Sequence, residues 1–194
     1  MGLLSFRLYL ALIFLGVVAH KLANLDHMVA WFGNTDWGLP MPVLMVFLAA
    51  SAELLGGVAL LLGLATRLFV FLLIFTMLVV ISTSHWDNAW FAIAPEDPAT
   101  STANVLAAMG IPTAQRSLEN SNGVGQRVSA EKRILRKYKN YSGLTEKGNL
   151  VVLNNGIEFS ATYLIILLSL LFTGGGRWVS LDYWVGRRLG KEPR

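Results

Sequence analysis

Cysteine is absent from this 194-residue chain, and charged residues make up only 14% of it. Without cysteine, the chain by itself can form no disulfide, dithiol centre, zinc knuckle or cysteine-ligated iron–sulfur cluster. Soluble domains are about 25% charged, whereas 54% of the residues here are hydrophobic. The missing charge coincides with long apolar runs, so the composition indicates an integral membrane protein.

The charge that is present is mainly basic, with a net charge of +4 and an isoelectric point near 9.6. A basic chain can bind nucleic acid, but the lysines and arginines here cluster in one loop and in the C-terminal tail. In a membrane protein such clusters are more simply explained as topology signals. We therefore expect membrane lipid, and no nucleic acid, as a partner.

Four apolar runs predict an all-α fold, a bundle of four transmembrane helices in a single membrane domain over residues 1–194. At 1.5 Å per residue, the second run is long enough to cross a hydrocarbon core of about 30 Å. Only four residues separate the second and third runs, which predicts an antiparallel helical hairpin. A cleavable signal peptide is the alternative for the first run. The predicted spans are residues 3–19, 42–63, 68–84 and 157–173.

Basic residues near the predicted spans favour one orientation. The loop 20–41 has Lys21 as its one basic residue, and long loops such as 85–156 translocate largely regardless of charge. We therefore expect both termini in the cytoplasm and a long external loop between the third and fourth spans. The residues that mark the cytoplasmic side are Arg7, Arg67 and, in the tail 174–194, Arg177, Arg187, Arg188, Lys191 and Arg194.

The long loop contains two helical patterns. Residues 102–110 predict a short helix that ends at Gly110, and residues 129–141 predict a basic helix with Ser129 as its N-cap. The polar section between them, 117–125, contains serine, asparagine and glycine and is expected to be flexible. The basic helix would contact anionic lipid or a protein partner, or would simply face solvent.

Glu53 is an ionisable residue near the middle of the second apolar run. A carboxylate at this depth costs a few kcal/mol even on the gentlest insertion scale, so such residues face the bundle interior and are often functional. Gly56 and Gly57 follow on the same helical face and allow close packing of another helix. Glu53 would either bind a ligand such as a quinone or form a buried pair that fixes helix register. Arg7 and Lys21 are its candidate partners.

The chain has three histidines, and the expected topology places them all at the external side. Imidazole nitrogens suit zinc, copper and iron, so a cluster at the bundle mouth would form a metal site, with copper the most plausible ion. Their spacing matches no helical metal-binding pattern, and hydrogen bonding at the membrane interface is the alternative. Half a bilayer, roughly 15 Å, is expected to separate them from Glu53. The candidate ligands are His20, His27 and His85.

Several sequence elements resemble the DoxX family of small four-span bacterial membrane proteins. They are G-V-V-A-H-K at 16–21, A-E-L-L-G-G at 52–57, L-G-L-A-T-R at 62–67 and G-G-G-R-W-V-S-L-D-Y at 174–183. The family motifs fall on Lys21, Glu53, Gly56 and Gly57. The long insertion that begins H-W-D-N-A-W resembles the HvfX-type branch, which is named in connection with copper-linked peptide maturation.

The resemblance implies a multi-pass protein of the bacterial inner membrane. Family members are linked to thiosulfate:quinone oxidoreductase subunits and to membrane-associated redox or detoxification complexes. The leading hypothesis is an auxiliary component of a redox-associated system that binds quinone near Glu53, together with a protein partner or as a homo-oligomer. The alternatives are a copper-handling protein and a scaffold that recruits a partner through residues 129–141. The sequence leaves open whether the chain catalyses a reaction.

Overall fold

The computed structural model describes residues 1–34, 39–101, 103–110, 112–137 and 141–189. These residues contain helices and no strand, which confirms the all-α class; an isolated antiparallel bridge joins Ile93 and Leu153. The α-helices are α1 (Gly2–Ala23), α2 (Leu25–Gly33), α3 (Pro42–Leu62), α4 (Thr66–Val80), α5 (Ala103–Ala108), α6 (Pro112–Lys137), α7 (Tyr141–Thr145), α8 (Glu158–Thr173) and α9 (Leu181–Arg188). A π-helical turn (Ile81–His85) and 3₁₀ turns (Trp86–Asn88 and Pro98–Thr100) complete them.

Three helical segments are long and apolar enough to cross a membrane. They are Gly2–Ala23, Pro42–Leu62 and the continuous segment Thr66–Asn88, which extends α4 through the π and 3₁₀ turns. The fourth apolar helix, α8, has 16 residues, or about 24 Å at 1.5 Å per residue, and is shorter than a typical span. The structure thus confirms a helical membrane protein, while the fourth span stays a prediction.

The chain divides into two compact units, of which the first comprises Met1–Thr83 and the chain from Ser160 onward. Its core consists of buried side chains from α1, α3, α4 and α8, including Phe14, Leu60, Leu73 and Leu167. Large apolar side chains also point outward from these helices, for example Phe75 and Phe172. A soluble surface rarely carries such a continuous apolar area, so these outer faces suit contact with lipid.

Helices α1 and α3 run antiparallel, because contacts at rising positions of α1 meet falling positions of α3. Arg7 meets Leu60, Leu15 lies against Gly57, and Lys21 meets Glu53. The expected hairpin of the second and third spans is also present, with Gly63 ending α3 in the left-handed conformation, φ +62°. The Leu64 amide donates to the Ala59 carbonyl, the bond typical of a glycine-terminated helix.

The second unit, Ser84–Phe159, covers the predicted external loop and has a small core of its own. Ala94, Val124 and Val128 are buried together, with Val152 against them. The helix expected at 102–110 is confirmed as α5, followed by Gly110 with φ +80°. The single membrane domain expected over residues 1–194 stays a prediction.

The prediction of a flexible section at 117–125 is wrong, and so is the assignment of Ser129 as an N-cap. Both lie inside α6, which begins at Pro112; of the predicted helix 129–141, residues 138–140 lie outside the described residues. Buried positions at 114, 117, 121, 124 and 128 form one stripe along α6. The Ser121 hydroxyl donates to the Pro95 carbonyl, so tertiary packing overrides the weak helix propensity of this sequence.

The two glycines within this part of α6 provide a matched test of that packing. A Cβ at Gly125 would collide with the Glu96 backbone carbonyl, whereas a Cβ at Gly123 would meet nothing closer than 3.7 Å. Since alanine is more favourable than glycine in a helix by up to about 1 kcal/mol, we expect G123A to stabilise α6. G125A should instead destabilise the second unit.

Limited proteolysis of the full chain in detergent, with cleavage sites in 84–159 mapped by mass spectrometry, measures both effects. G123A should slow cleavage and G125A should accelerate it. Equal behaviour of the two variants would contradict the close approach of α6 to Glu96.

Candidate functional site

Glu53 and Lys21 form an ion pair inside the first unit. Lys21 Nζ lies 2.6 Å from Glu53 Oε1 and 2.7 Å from Oε2. The side chains are 2% exposed for Glu53 and 11% exposed for Lys21. Lys21 belongs to the last turn of α1 and Glu53 to the middle of α3. Of the two sequence candidates, Lys21 is therefore the partner of Glu53, and Arg7 is not.

The two glycines beside Glu53 face different helices. A Cβ at Gly56 would lie 2.7 Å from Leu73 Cγ on α4, and one at Gly57 would lie 3.0 Å from Leu15 Cγ on α1. A side chain at Gly56 would therefore force Leu73 to move, and one at Gly57 would force Leu15 to shift by a few tenths of an ångström. The small-residue face expected around Glu53 thus packs against both α4 and α1. The close packing of α1 allows Lys21 to reach the Glu53 carboxylate.

The pair retains hydrogen-bonding capacity. A lysine ammonium has three N–H donors, and the two carboxylate oxygens of Glu53 account for two of them. Among the described residues, no acceptor is seen for the third donor. The ammonium therefore keeps one N–H donor without an acceptor among the described residues, and the carboxylate beside it holds the ammonium in place.

Arg7 occupies a separate buried site at the other end of α1, and its side chain is fully buried. Nε donates to Leu60 O at 2.9 Å, and Nη2 donates to Leu61 O at 3.2 Å and Val179 O at 2.8 Å. Nη1 donates to Gly175 O at 2.9 Å and Trp178 O at 3.2 Å. All five N–H donors of the guanidinium are thereby used.

The carbonyls that Arg7 binds explain why a cation is stable there. Leu60 and Leu61 belong to the last turn of α3, whose carbonyls have no partner within the helix and lie at the negative end of its dipole. Asp182 complements this arrangement, since its carboxylate accepts from the Ala65 and Thr66 amides at 2.6 and 2.8 Å. Charged side chains therefore cap both helix ends at the α3–α4 turn.

No motif in the sequence marks this capping role. The sequence predicts Arg7 as a marker of the cytoplasmic side and as a candidate partner of Glu53, and it gives no sign of the role of Asp182. An arginine inside an apolar run is itself a signal of a buried partner. Its partners here are main-chain oxygens, however, which no residue pattern marks. Lys191 and Arg194 of the tail lie outside the described residues.

The structure places two of the three histidines in the first unit and one in the second. His20 and His27 are exposed, and the Asn24 side-chain amide donates to the His20 carbonyl at 2.9 Å. His85 Nδ1 lies 2.6 Å from the Asn155 carbonyl in the second unit. No group of three His, Cys, Asp or Glu side chains suited to a metal ion is found in the part of the chain described. The metal site stays a prediction.

The expected separation of Glu53 from the three histidines stays a prediction. Lys21, which follows His20 in the sequence, contacts Glu53 directly. The pair therefore lies closer to the end of α1 than to its middle.

Comparison with known proteins gives one match, which covers the part of the chain that contains Arg7, Lys21 and Glu53. Residues 2–86 match the model of the DoxX family. No curated protein and no solved structure matches the chain.

The ion pair predicts a specific pattern of stability changes. Removing one partner of a buried pair leaves an unpaired charge and typically costs about 3–5 kcal/mol, whereas replacing both with apolar residues is often neutral or stabilising. We therefore expect K21M and E53M each to lower the free energy of unfolding by several kcal/mol. The double variant K21M/E53M should regain most of the loss.

Chemical unfolding in detergent micelles, followed by circular dichroism, measures the three variants. A double variant as unstable as the sum of the single variants would show that the two side chains do not act as a pair.

The hydrogen bonds of Arg7 predict that lysine at this position lowers the stability of the protein. Lysine keeps the charge but has three donors on one nitrogen and cannot reproduce the planar fork. R7K would leave at least two buried carbonyls without a donor, at about 1–3 kcal/mol each. We expect it to unfold at lower denaturant concentration in the same assay.

R67K is the matched control, because Arg67 is exposed and, within the described part of the chain, makes a single hydrogen bond, to Phe172 O at 3.2 Å. It should unfold close to the unmodified chain. An R7K variant as stable as R67K would contradict the five-donor site.

Proposed function

Because residues 2–86 belong to the DoxX family, we propose that this membrane protein is an auxiliary component of a redox-associated system that binds quinone at the Lys21–Glu53 pair. The proposal rests on one observation, the third N–H donor of the buried Lys21 ammonium. A quinone carbonyl is a hydrogen-bond acceptor on an apolar, lipid-soluble ring. The donor and its apolar surroundings fit that chemistry.

The residues of the site divide the work between them. Lys21 donates a hydrogen bond to a ligand carbonyl, and Glu53 holds the ammonium and balances its charge. Gly56 and Gly57 keep α1 and α4 close to α3, which limits the entry of water to the pair. A bound quinone supplies the capacity to accept two electrons and two protons, which the side chains of a cysteine-free chain do not offer.

The basic residues at the Arg7 end of the first unit support an orientation with both termini in the cytoplasm, and the family match supports a location in the bacterial inner membrane. Arg67, Arg177, Arg187 and Arg188 are all exposed there. Clusters of this kind mark the cytoplasmic side of membrane proteins. In this orientation the Lys21–Glu53 pair lies toward the external half of the membrane.

Recruitment of a partner is a second candidate function, and one observation favours it. The last two turns of α6 are largely exposed and basic, with Arg133, Arg136 and Lys137 at the surface. This is part of the segment 129–141 that the sequence suggested as a scaffold. Ile134 is exposed among these basic residues and offers a partner an apolar contact in addition to the charges.

Solvent extraction of the purified protein, with quinone measured by chromatography, tests the binding proposal. The unmodified chain should retain quinone. The quinone content of K21M/E53M should be at least about ten-fold lower, because this variant lacks the Lys21 N–H donor but keeps the fold. S169A is the control, since the Ser169 hydroxyl on α8 donates within its own helix, to Ile165 O at 3.1 Å, and has no other partner among the described residues. It should retain quinone at the original level.

Two results would contradict the proposal. One is quinone content in K21M/E53M equal to that of S169A, which would move any quinone away from the pair. The other is the absence of quinone from the unmodified chain even after incubation with excess ubiquinone. In either case the pair would be a structural element that fixes the register of α1 against α3.

A further inference from the structure

The Arg7 end of the first unit contains an apolar cleft beside exposed arginines. The cleft has a volume of about 270 Å³ and is lined by Leu3, Leu4, Phe6, Gly176, Arg177 and Trp178. This is about nine times the roughly 30 Å³ that one water occupies in the liquid, enough for a stretch of acyl chain. Most of its lining is apolar, and Arg177 brings a cation to its edge.

Helix α9 adds an amphipathic surface at the same end. Its first turn is held to the α3–α4 turn, because the Asp182 amide donates to Gly63 O at 2.9 Å and Ser180 Oγ donates to the same carbonyl at 3.2 Å. Trp178 and Trp184 are 57% and 53% exposed. Tryptophan at the end of a membrane helix is typical of the headgroup level.

The charges at this end are almost all of one sign. Arg67, Arg177, Arg187 and Arg188 are exposed, and Asp182 is the acidic residue among the described residues of this end. Its carboxylate is already occupied by the Ala65 and Thr66 amides. Within the described residues, an anion that approaches this surface therefore meets exposed cations and no free carboxylate.

We propose that the cleft and α9 together bind an anionic phospholipid, with an acyl chain against Leu3, Phe6 and Trp178 and the phosphate at Arg177, Arg187 and Arg188. Arginine suits phosphate because its planar fork donates two parallel hydrogen bonds. A soluble phosphate would match the arginines but not the apolar cleft. A protein partner fits this site less well than lipid does. The site lies at the ends of the membrane helices, and its exposed tryptophans are typical of the headgroup level.

Quenching of Trp178 by brominated lipid provides a local measurement. The full chain in dodecyl maltoside is titrated with brominated phosphatidylglycerol or brominated phosphatidylcholine, and the difference between the unmodified chain and W178F isolates Trp178. Phosphatidylglycerol should quench at several-fold lower mole fraction than phosphatidylcholine. Raising the salt concentration should reduce the difference, because exposed charges are screened beyond about 10 Å at 0.1 M salt.

Charge variants identify the residues responsible. Each basic residue near an anionic surface contributes on the order of five-fold in affinity. The preference of R177Q/R187Q/R188Q for phosphatidylglycerol over phosphatidylcholine should therefore be at least about ten-fold weaker than that of the unmodified chain. The charge-conserving variant R177K/R187K/R188K should keep most of it. The matched control R127Q/R133Q/K137Q removes the same charge from exposed positions of α6 and should keep all of it.

Four outcomes would overturn the proposal. They are equal quenching by the two lipids, a preference that survives R177Q/R187Q/R188Q, an equal loss in the α6 control, and displacement of the lipid by millimolar inorganic phosphate. The last would assign the arginines to a free phosphate. Circular dichroism of each variant confirms that the comparison is made between folded chains. If the triple glutamine variant does not fold, the single variants R177Q, R187Q and R188Q replace it, and a preference unchanged in all three would overturn the proposal.

Discussion

A charge inside an apolar helical bundle must find its hydrogen bonds within the bundle, and the first unit depends on how two cations of α1 meet this requirement. Lys21 is neutralised by a carboxylate, with both oxygens within 2.7 Å. Arg7 is solvated by five main-chain carbonyls. The first solution fixes α1 to one side chain of α3, whereas the second fixes it to the end of α3 and to the segment after α8. Together they define both the register of α1 and the position of the C-terminal segment.

The features of this structure that can be predicted from the sequence are those that depend on the pattern of apolar residues or on composition. Three apolar runs became long helices, the short turn at Leu64–Arg67 produced the hairpin, and the cost of burying Glu53 correctly indicated an interior position with Lys21 as one of two possible partners. The features that could not be predicted depend on contacts between residues that are far apart in the sequence. The polar stretch 117–125 is helical because Val124 and Val128 pack on Ala94, and Arg7 found main-chain oxygens, which any sequence offers equally.

The family-matched segment 2–86 contains both buried cations and their helices but not all of their partners. Lys21 and Glu53 lie within it, as do Gly56 and Gly57. Three of the five acceptors of Arg7 lie beyond it, at Gly175, Trp178 and Val179. Because these acceptors are carbonyl oxygens, the C-terminal segment completes the site through its backbone path. The second unit, Ser84–Phe159, has its own core, and among the described residues the hydrogen-bond acceptors of both cations belong to the first unit.

The distribution of the Arg7 acceptors along the chain has a consequence for biosynthesis. Arg7 is translated 168 residues before Gly175, so α1 enters the membrane with a guanidinium whose hydrogen bonds do not yet exist. Synthesis of α3 supplies the first two acceptors, and the last three arrive only when the ribosome has passed Val179. Until then the N-terminal helix carries an unsatisfied cation that favours a shallow position near the headgroups. We therefore expect the first helix to reach its final position late, once the segment that follows α8 has been synthesised.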